Sequence, residues 1–169
     1  TKHHAKIVAI AGGLGSFEPR KPAIKGIEYY EDKGLAYMIK DPEVYRDKRV
    51  VIAGGGDSAL DWSIFLANVA SEVTLVHRRE EFRGALDSVE KVQDLVNAKK
   101  IRLITPDEIL DVSGEDKVAS VLLQHNDEAK RMEVIECDAF IPLFGLAPKL
   151  GPIGDWGLEI EKNAIKVDN

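Results

Sequence analysis

RVVIAGGGDSALDW, at Arg49 to Trp62, is the stretch of sequence that decides the fold of this chain. Its first residues form a short, continuous apolar run, which is typical of a strand buried on both faces of a parallel sheet. Three glycines follow, and then a segment with helical spacing of apolar residues. Gly54, Gly56 and Ala59 fit the spacing G-x-G-x-x-G/A, which joins a strand to a helix and binds the diphosphate of a dinucleotide.

The residue types in this turn suit the binding of phosphate groups. Gly54 allows a tight turn, and Gly56 lets the backbone approach a diphosphate because it has no side chain. Ala59 is small enough for the helix to pack closely on the sheet. The helix would also present unpaired N–H groups and the positive end of its dipole to the phosphates.

The helix after the turn has a predicted cap and a predicted buried face. Asp57 or Ser58 is expected to cap its amino end, and Asp61 stands three residues after Ser58, as in a capping box. The spacing i, i+3, i+4 and i+7 predicts one apolar face toward the sheet. That face consists of Trp62, Phe65, Leu66 and Val69.

VTLVHRREEFR, at Val73 to Arg83, begins as a second apolar strand and ends in cations. Proteins that bind NAD usually place an acidic residue here, roughly 20 residues after the glycines, to hold the ribose 2′-hydroxyl. This chain has His77, Arg78, Arg79 and Arg83 instead. Guanidinium groups bind a 2′-phosphate by charge-assisted hydrogen bonds and can stack on adenine, which favours NADP(H) over NAD(H). An ordinary solvated charge run, with two glutamates among the arginines, is the alternative.

Composition limits the classes of function that remain. The chain has 169 residues, 44% of them hydrophobic, which is enough for one globular core with or without flanking pieces. It has no long apolar run and no signal-peptide pattern, so we expect no membrane association. The net charge of −6 argues against nucleic-acid binding. The single cysteine, Cys137, is expected to be a small buried hydrophobe in a reducing, cytoplasmic compartment.

The remaining patterns predict an α/β fold: a Rossmann-like, three-layer nucleotide-binding domain with a parallel sheet plus an antiparallel β-meander. Strands are expected at 6–11, 72–77, 101–105 and 138–144, a helix at 89–98, and the meander between 108 and 137. Residues 12–15 should form a glycine-rich turn, and 17–25 an extended connector. A helical turn is expected near Pro42, and a loop at 145–152. The last residues, 156–169, contain only a short alternation.

Taken together, GGGDSALDW and VTLVHRREEFR resemble the NADPH-binding domain of thioredoxin-reductase-like flavoproteins, within the pyridine nucleotide-disulfide oxidoreductase superfamily. The nearest subfamily is that of the thioredoxin-reductase-type ferredoxin–NADP(+) reductases. Three other segments agree with it, namely AGGLGSFEPRKP at 11–22, SVEKVQDLV at 88–96 and IECDAFIPLFGLAPKLGPIGDWGLEIE at 135–161. The resemblance covers essentially the whole chain.

The resemblance implies a division of the chain. Residues 1–26 would be a connector from an FAD domain, 27–145 the NADP(H)-binding domain, and 146–169 the connector back to the FAD domain. The family binds FAD through an N-terminal glycine-rich unit and a C-terminal Gly-Asp segment, which this chain lacks. FAD is therefore expected only in the full-length protein, and this chain alone should bind NADP(H) without turnover.

The resemblance also assigns roles to residues. The diphosphate would lie at the glycine turn, the 2′-phosphate at the cations, and the nicotinamide toward Gly145. The expected cofactor-binding residues are Gly54, Gly55, Gly56, Asp57, Ser58, Ala59, His77, Arg78, Arg79, Arg83 and Gly145. No residue is expected to act as a catalytic acid or base or to bind a metal, because the cofactors carry the redox chemistry.

Family members exchange a hydride between NADPH and FAD, pass electrons to ferredoxin or flavodoxin, and form homodimers. Thioredoxin reductases carry a C-x-x-C shortly before the glycine-rich strand, whereas Gly34 to Arg49 contains no cysteine, which excludes dithiol chemistry there. Two alternatives remain. The chain could belong to another cysteine-free reductase that acts on disulfides or quinones, or it could be a non-catalytic NADP(H)-binding module.

Overall fold

A computed structural model describes residues 3–10, 16–161 and 164–167. The chain divides into two compact units, of which one comprises Pro19–Gly145 and the other comprises Thr1–Glu18 with Leu146–Asn169. The strands are β1 (Ser16–Pro19), β2 (Arg49–Ala53), β3 (Glu72–Val76), β4 (Arg102–Ile104), β5 (Glu108–Ser113), β6 (Ser120–Gln124), β7 (Met132–Glu136), β8 (Ala139–Pro142), β9 (Leu146–Lys149), β10 (Ile160–Glu161) and β11 (Ala164–Ile165). The α-helices are α1 (Asp57–Leu66) and α2 (Leu86–Asn97). Short 3-10 helices cover Ile27–Tyr30, Pro42–Tyr45 and Gly151–Asp155.

A four-stranded parallel sheet forms the centre of the larger unit, in the order β4-β3-β2-β8. At its carboxyl edge Ala53 lies opposite Val76 on one side and Pro142 on the other. The central strands are buried along nearly their whole length, as their continuous apolar sequence predicts. The chain leaves β2 for β3 and later returns to β8 on the other side of β2. The sheet therefore has its topological switch point between β2 and β8, where such folds bind their ligands.

Each face of the parallel sheet has its own apolar core, so the predicted three-layer α/β fold is confirmed. Alternate strand residues project to opposite faces. On the helical face the core includes Val50, Ile52, Leu75, Leu60, Leu66 and Val92. On the other face the antiparallel sheet β5-β6-β7 contributes to a core that includes Val51, Val76, Phe140, Val121, Leu123 and Ile135. The helix predicted at 89–98 and the turn predicted near Pro42 are both present.

The predicted buried face of α1 is confirmed at Leu66, which is buried, and at Trp62 and Val69, which pack partly buried against the same core. It is wrong at Phe65. The residues buried in this helix are Ala59, Leu60, Ser63 and Leu66. Phe65 is 49% exposed and contacts Trp62 edge to face, with ring centroids 5.7 Å apart. The small residues Ala59 and Ser63 let the helix approach the sheet closely. The Ser63 hydroxyl is satisfied within the helix, where it donates to the Ala59 carbonyl at 2.7 Å.

The strand predicted at 6–11 is also wrong over the described residues 6–10. These residues form no strand, and Ile7 and Val8 are 87% and 72% exposed. An apolar run becomes a strand only where its backbone groups find a neighbouring strand. Ala11 and the glycine-rich turn predicted at 12–15 lie outside the described residues.

The smaller unit contains structure where a loop was predicted at 145–152. Strand β9 pairs with β1 in a two-stranded sheet, and a 3-10 helix follows at Gly151–Asp155. Lys149 Nζ lies 2.7 Å from Glu18 Oε1 in the same unit. Strands β10 and β11 form an antiparallel pair with Ile160 opposite Ile165. A pairing partner more than a hundred residues away leaves no local pattern in the sequence, and the loop was predicted for that reason.

Among the described residues, no helix is long and apolar enough to cross a bilayer.

Phe140 offers a direct test of the core between the two sheets. Its side chain is completely buried. We expect Phe140→Ala to reduce the free energy of unfolding by about 3–5 kcal/mol, since it leaves a cavity in that core. Urea unfolding of the variant measures this loss. The matched control is Phe144→Ala, because Phe144 is 43% exposed; equal losses in the two variants would contradict the assigned core.

Candidate dinucleotide site

The glycine turn lies where the carboxyl ends of β2 and β8 meet the start of α1. The amide of Gly54 donates to the Val76 carbonyl at 3.0 Å, and that of Leu143 donates to the Ala53 carbonyl at 2.7 Å. A Cβ on Gly54 would lie 2.6 Å from the Leu143 carbonyl oxygen and 2.8 Å from Cβ of Ala59. The chain can turn here only because one residue has no side chain and the other a very small one.

Gly56 faces open space. A Cβ at this residue would meet nothing within 4 Å. Gly56 occupies the cap position of α1 with extended backbone, and no side chain caps the helix. The predicted cap by Asp57 or Ser58 is therefore wrong, because both residues lie inside the first turn of the helix. The first-turn N–H groups receive no side-chain acceptor, and such groups at a helix start bind anions.

The arginine loop, defined here as residues 78–85, follows β3 after the single residue His77. Arg78, Arg79 and Arg83 are all exposed. Within the described part of the chain, none of the three forms an ion pair, although Glu80 and Glu81 are their neighbours in sequence. Three guanidinium groups are therefore available at the carboxyl edge of the sheet, next to the glycine turn.

His77 is placed differently from the arginines that follow it. Its ring is buried and stacks on Phe82, with centroids 5.2 Å apart and planes 17° from parallel. Its Nε2 donates to the Glu81 carbonyl at 3.1 Å. A Cβ on Gly55 would come within 2.2–2.5 Å of three ring atoms, so the ring fills the space that this glycine leaves. Burial lowers the pKa of His77, and the neighbouring arginines add to that effect, so the ring is held neutral.

Two hydrogen bonds join the carboxyl-terminal end of the arginine loop to the glycine turn and to the first residue of α1. The Arg83 amide donates to the Gly55 carbonyl at 2.7 Å. The Ala85 amide donates to Oδ1 of Asp57, also at 2.7 Å. We call these two bonds, together with the packing of His77 on Gly55, the clasp. The clasp fixes the arginine loop against the turn at both of its ends.

Asp107 lies near the same carboxyl edge and was not singled out from the sequence. It follows β4, is buried, and donates its amide to the His77 carbonyl at 3.1 Å. Its carboxylate accepts from Nδ1 of His125 at 2.7 Å and from the Asn126 amide at 2.8 Å. Its position directly after a predicted strand was the available signal, because parallel strands end at the same edge. An open depression beside Arg78 is lined by Pro106, Asp107, Glu108, Gln124, His125, Asn126 and Lys130.

Gly145 lies three residues after β8, on the same carboxyl edge as the glycine turn. Its φ of +86° favours glycine, and a Cβ there would meet nothing within 4 Å. Its carbonyl accepts from the Arg20 amide at 3.0 Å. The structure thus brings the glycine turn, the arginine loop and the chain after β8 to one edge of the sheet.

Cys137 is fully buried, as predicted. Burial raises the pKa of its thiol to about 12, and the Asp138 carboxylate adds to the shift. A thiol that stays protonated is a poor nucleophile. This residue therefore carries no redox chemistry at the site.

A sequence profile described as pyridine nucleotide-disulphide oxidoreductase matches residues 2–169. The chain belongs to this family. It is 72% identical over 169 residues to a ferredoxin–NADP reductase of Flavobacterium johnsoniae, covering 100% of this chain and 47% of that protein. It is 71% identical over 168 residues to ferredoxin–NADP reductase 1 of Christiangramia forsetii, covering 99% of this chain and 48% of that protein. The chain thus spans about half the length of the curated relatives it matches.

Solved structures agree with the fold. The thioredoxin reductase of Lactococcus lactis matches with a TM-score of 0.78 and 26% identity, over 92% of this chain and 50% of that one. The T. acidophilum thioredoxin reductase has a TM-score of 0.79 at 23% identity, over 91% of this chain and 50% of that one. The likeness to thioredoxin reductases recognised from the sequence is confirmed at the level of the fold.

Neighbouring glycines of the turn should respond differently to a methyl group. We expect Gly55→Ala to destabilise the protein by about 1–3 kcal/mol, since the new Cβ overlaps the His77 ring and forces a shift in a packed region. Gly56→Ala is the matched control, because its Cβ meets open space. Thermal and urea unfolding measure both. An equally large loss for Gly56→Ala would contradict this description of the turn.

Proposed function

We propose that this chain binds NADP(H) at the carboxyl edge of its parallel sheet. The observation that carries the proposal is the position of three exposed arginines, without ion-pair partners in the described chain, beside a glycine turn that leaves a helix start uncapped. A diphosphate at the turn and a 2′-phosphate at the arginines would each meet donors of matching charge. Direct ligands in this proposal are the backbone from Gly54 to Ala59 and the side chains of Arg78, Arg79 and Arg83.

In this proposal His77 has a different role from the one expected from the sequence, and Gly145 keeps its expected role. His77 supports the arginine loop from inside, since its buried ring packs on Gly55 and is satisfied by the Glu81 carbonyl. Gly145 would lie toward the nicotinamide, because β8 flanks β2 on the side opposite β3. Its open surroundings leave room for a ring.

The wider proposal concerns the full-length protein. We infer that it is a ferredoxin–NADP(+) reductase, which holds FAD, exchanges electrons with ferredoxin or flavodoxin, and works as a homodimer in the cytoplasm. Support comes from the relatives of that name at 68–72% identity and from the absence of a cysteine pair before β2. In this scheme residues 1–26 and 146–169 connect the NADP(H)-binding domain to the FAD domain.

The part of this chain in the chemistry is to bind the nucleotide and to orient its nicotinamide ring. The nicotinamide, when bound, supplies a hydride to the flavin or accepts one from it. The glycine turn and the arginine loop would hold the diphosphate and the 2′-phosphate of the nucleotide, and so orient the nicotinamide ring at its far end. No side chain of the described site is needed as an acid or base.

Nucleotide preference tests the first proposal. We expect Arg78→Ala combined with Arg79→Ala to weaken NADPH binding by about 2–5 kcal/mol, because charge-assisted bonds to the 2′-phosphate are lost. NADH binding should change little. Titration calorimetry of both nucleotides measures the effect. Arg46→Ala is the control, since this exposed arginine pairs with Glu43 just before β2, at the amino edge of the sheet. An unchanged NADPH Kd in the double variant would refute the role of the arginines.

Acceptor choice tests the wider proposal. We expect the full-length protein to reduce ferredoxin with NADPH and to leave low-molecular-weight disulfides and quinones unreduced. Steady-state assays with each acceptor at matched concentrations measure this. Faster turnover with a disulfide or a quinone would assign the protein to another cysteine-free reductase, and binding without any turnover would indicate a non-catalytic module.

A further inference from the structure

We propose that Asp57 is a positioning residue: through the clasp it sets the spacing between the glycine turn and the arginine loop, and this spacing determines the preference for NADP(H). The inference rests on the proposed function and deepens it. A carboxylate in the first turn of α1 is at first sight a poor choice, because it lies beside the predicted diphosphate and repels it. However, Asp57 also accepts a hydrogen bond from the Ala85 amide, 28 positions later in the sequence, and this bond ties the arginine loop to α1.

The arginine loop lies very close to α1 beside Asp57. A Cβ on Gly84 would lie 2.5 Å from Cδ1 of Leu60 and 3.1 Å from Oδ1 of Asp57. A side chain at this position would have to displace that of Leu60, so the glycine lets the loop approach the helix closely. The adjacent hydrogen bond from the Arg83 amide to the Gly55 carbonyl holds the third arginine directly against the turn. The same few residues thus carry both the cations and the contacts that locate them.

The effect of such a spacing depends on the ligand. NADPH has two separate anionic groups, and both gain full contact only if the arginines already stand at the right distance from the turn. NADH has the diphosphate alone, and 2′-AMP has the 2′-phosphate alone. Neither of these ligands senses the distance between the two binding regions. Loss of the clasp should therefore weaken the binding of NADPH, which spans both regions. It should leave the binding of NADH and 2′-AMP unchanged, because each contacts only one region.

The variants separate the hydrogen bond of Asp57 from its charge. Asp57→Asn removes the charge and keeps an oxygen that can accept from the Ala85 amide, whereas Asp57→Ala removes both. Asp61→Ala is the matched control, because Oδ1 of Asp61 accepts from the Ser88 hydroxyl at 2.9 Å one turn further along α1. That bond joins α1 to α2 and is not part of the clasp. All variants are made in the full-length protein.

Binding of NADPH, NADH and 2′-AMP is measured by calorimetry for each variant. We expect Asp57→Ala to bind NADPH about tenfold more weakly than Asp57→Asn. For NADH, and likewise for 2′-AMP, the affinities of the two Asp57 variants should differ by no more than about twofold. Asp61→Ala should bind all three ligands with wild-type affinity. Amide hydrogen exchange supplies a second readout: exchange at Ala85 and Arg83 should accelerate in Asp57→Ala and not in Asp61→Ala.

Two results would overturn the inference. One is equal NADPH affinity of Asp57→Ala and Asp57→Asn. The other is a similar loss for all three ligands, which would show that Asp57 acts on the turn or on folding rather than on the spacing. The Arg78→Ala, Arg79→Ala protein in the same series reports separately on the proposed function. If NADPH affinity survives in that protein, the arginine assignment fails, whatever the Asp57 pair shows.

Discussion

The close contact at Gly54 is the constraint on which the rest of the structure depends. At this point the carbonyl after β8, the first turn of α1 and the end of β2 come together with no room for a Cβ. Because the helix must approach so closely, the face that it turns toward the sheet includes the small residues Ala59 and Ser63. The same contact places an uncapped helix start next to the end of β3 and hence next to three arginines.

The two faces of the parallel sheet are covered by different elements of the larger unit. Helices α1 and α2 cover one face, and one of them begins at the glycine turn. The meander covers the other face and completes a second core around Phe140. Since β2 and β3 are buried on both faces, their carboxyl ends are firmly held. Loops attached to such ends can present charged groups in a fixed arrangement, which a binding site requires.

Much of this arrangement could be predicted from the sequence, and the failures have physical causes. Strands β2, β3 and β8 were predictable because a doubly buried parallel strand is a continuous apolar run. The inward ring of His77 was not, because its place depends on a glycine 22 positions earlier that leaves the space for it. The pairing of β1 with β9 was equally invisible, since each strand is short and its partner distant. Local patterns predicted the elements, while contacts between distant residues decided which side chains face inward.

The burial of Cys137 has a consequence for the reactivity of the protein toward oxidants and alkylating agents. Its thiol is the sole sulfhydryl in the chain, and it is both inaccessible and protonated at neutral pH. Oxidants and alkylating agents attack thiolates at the surface, so they find no target of this kind here. We therefore expect the folded domain to resist thiol-directed reagents, because its one thiol is packed in the core beneath the meander.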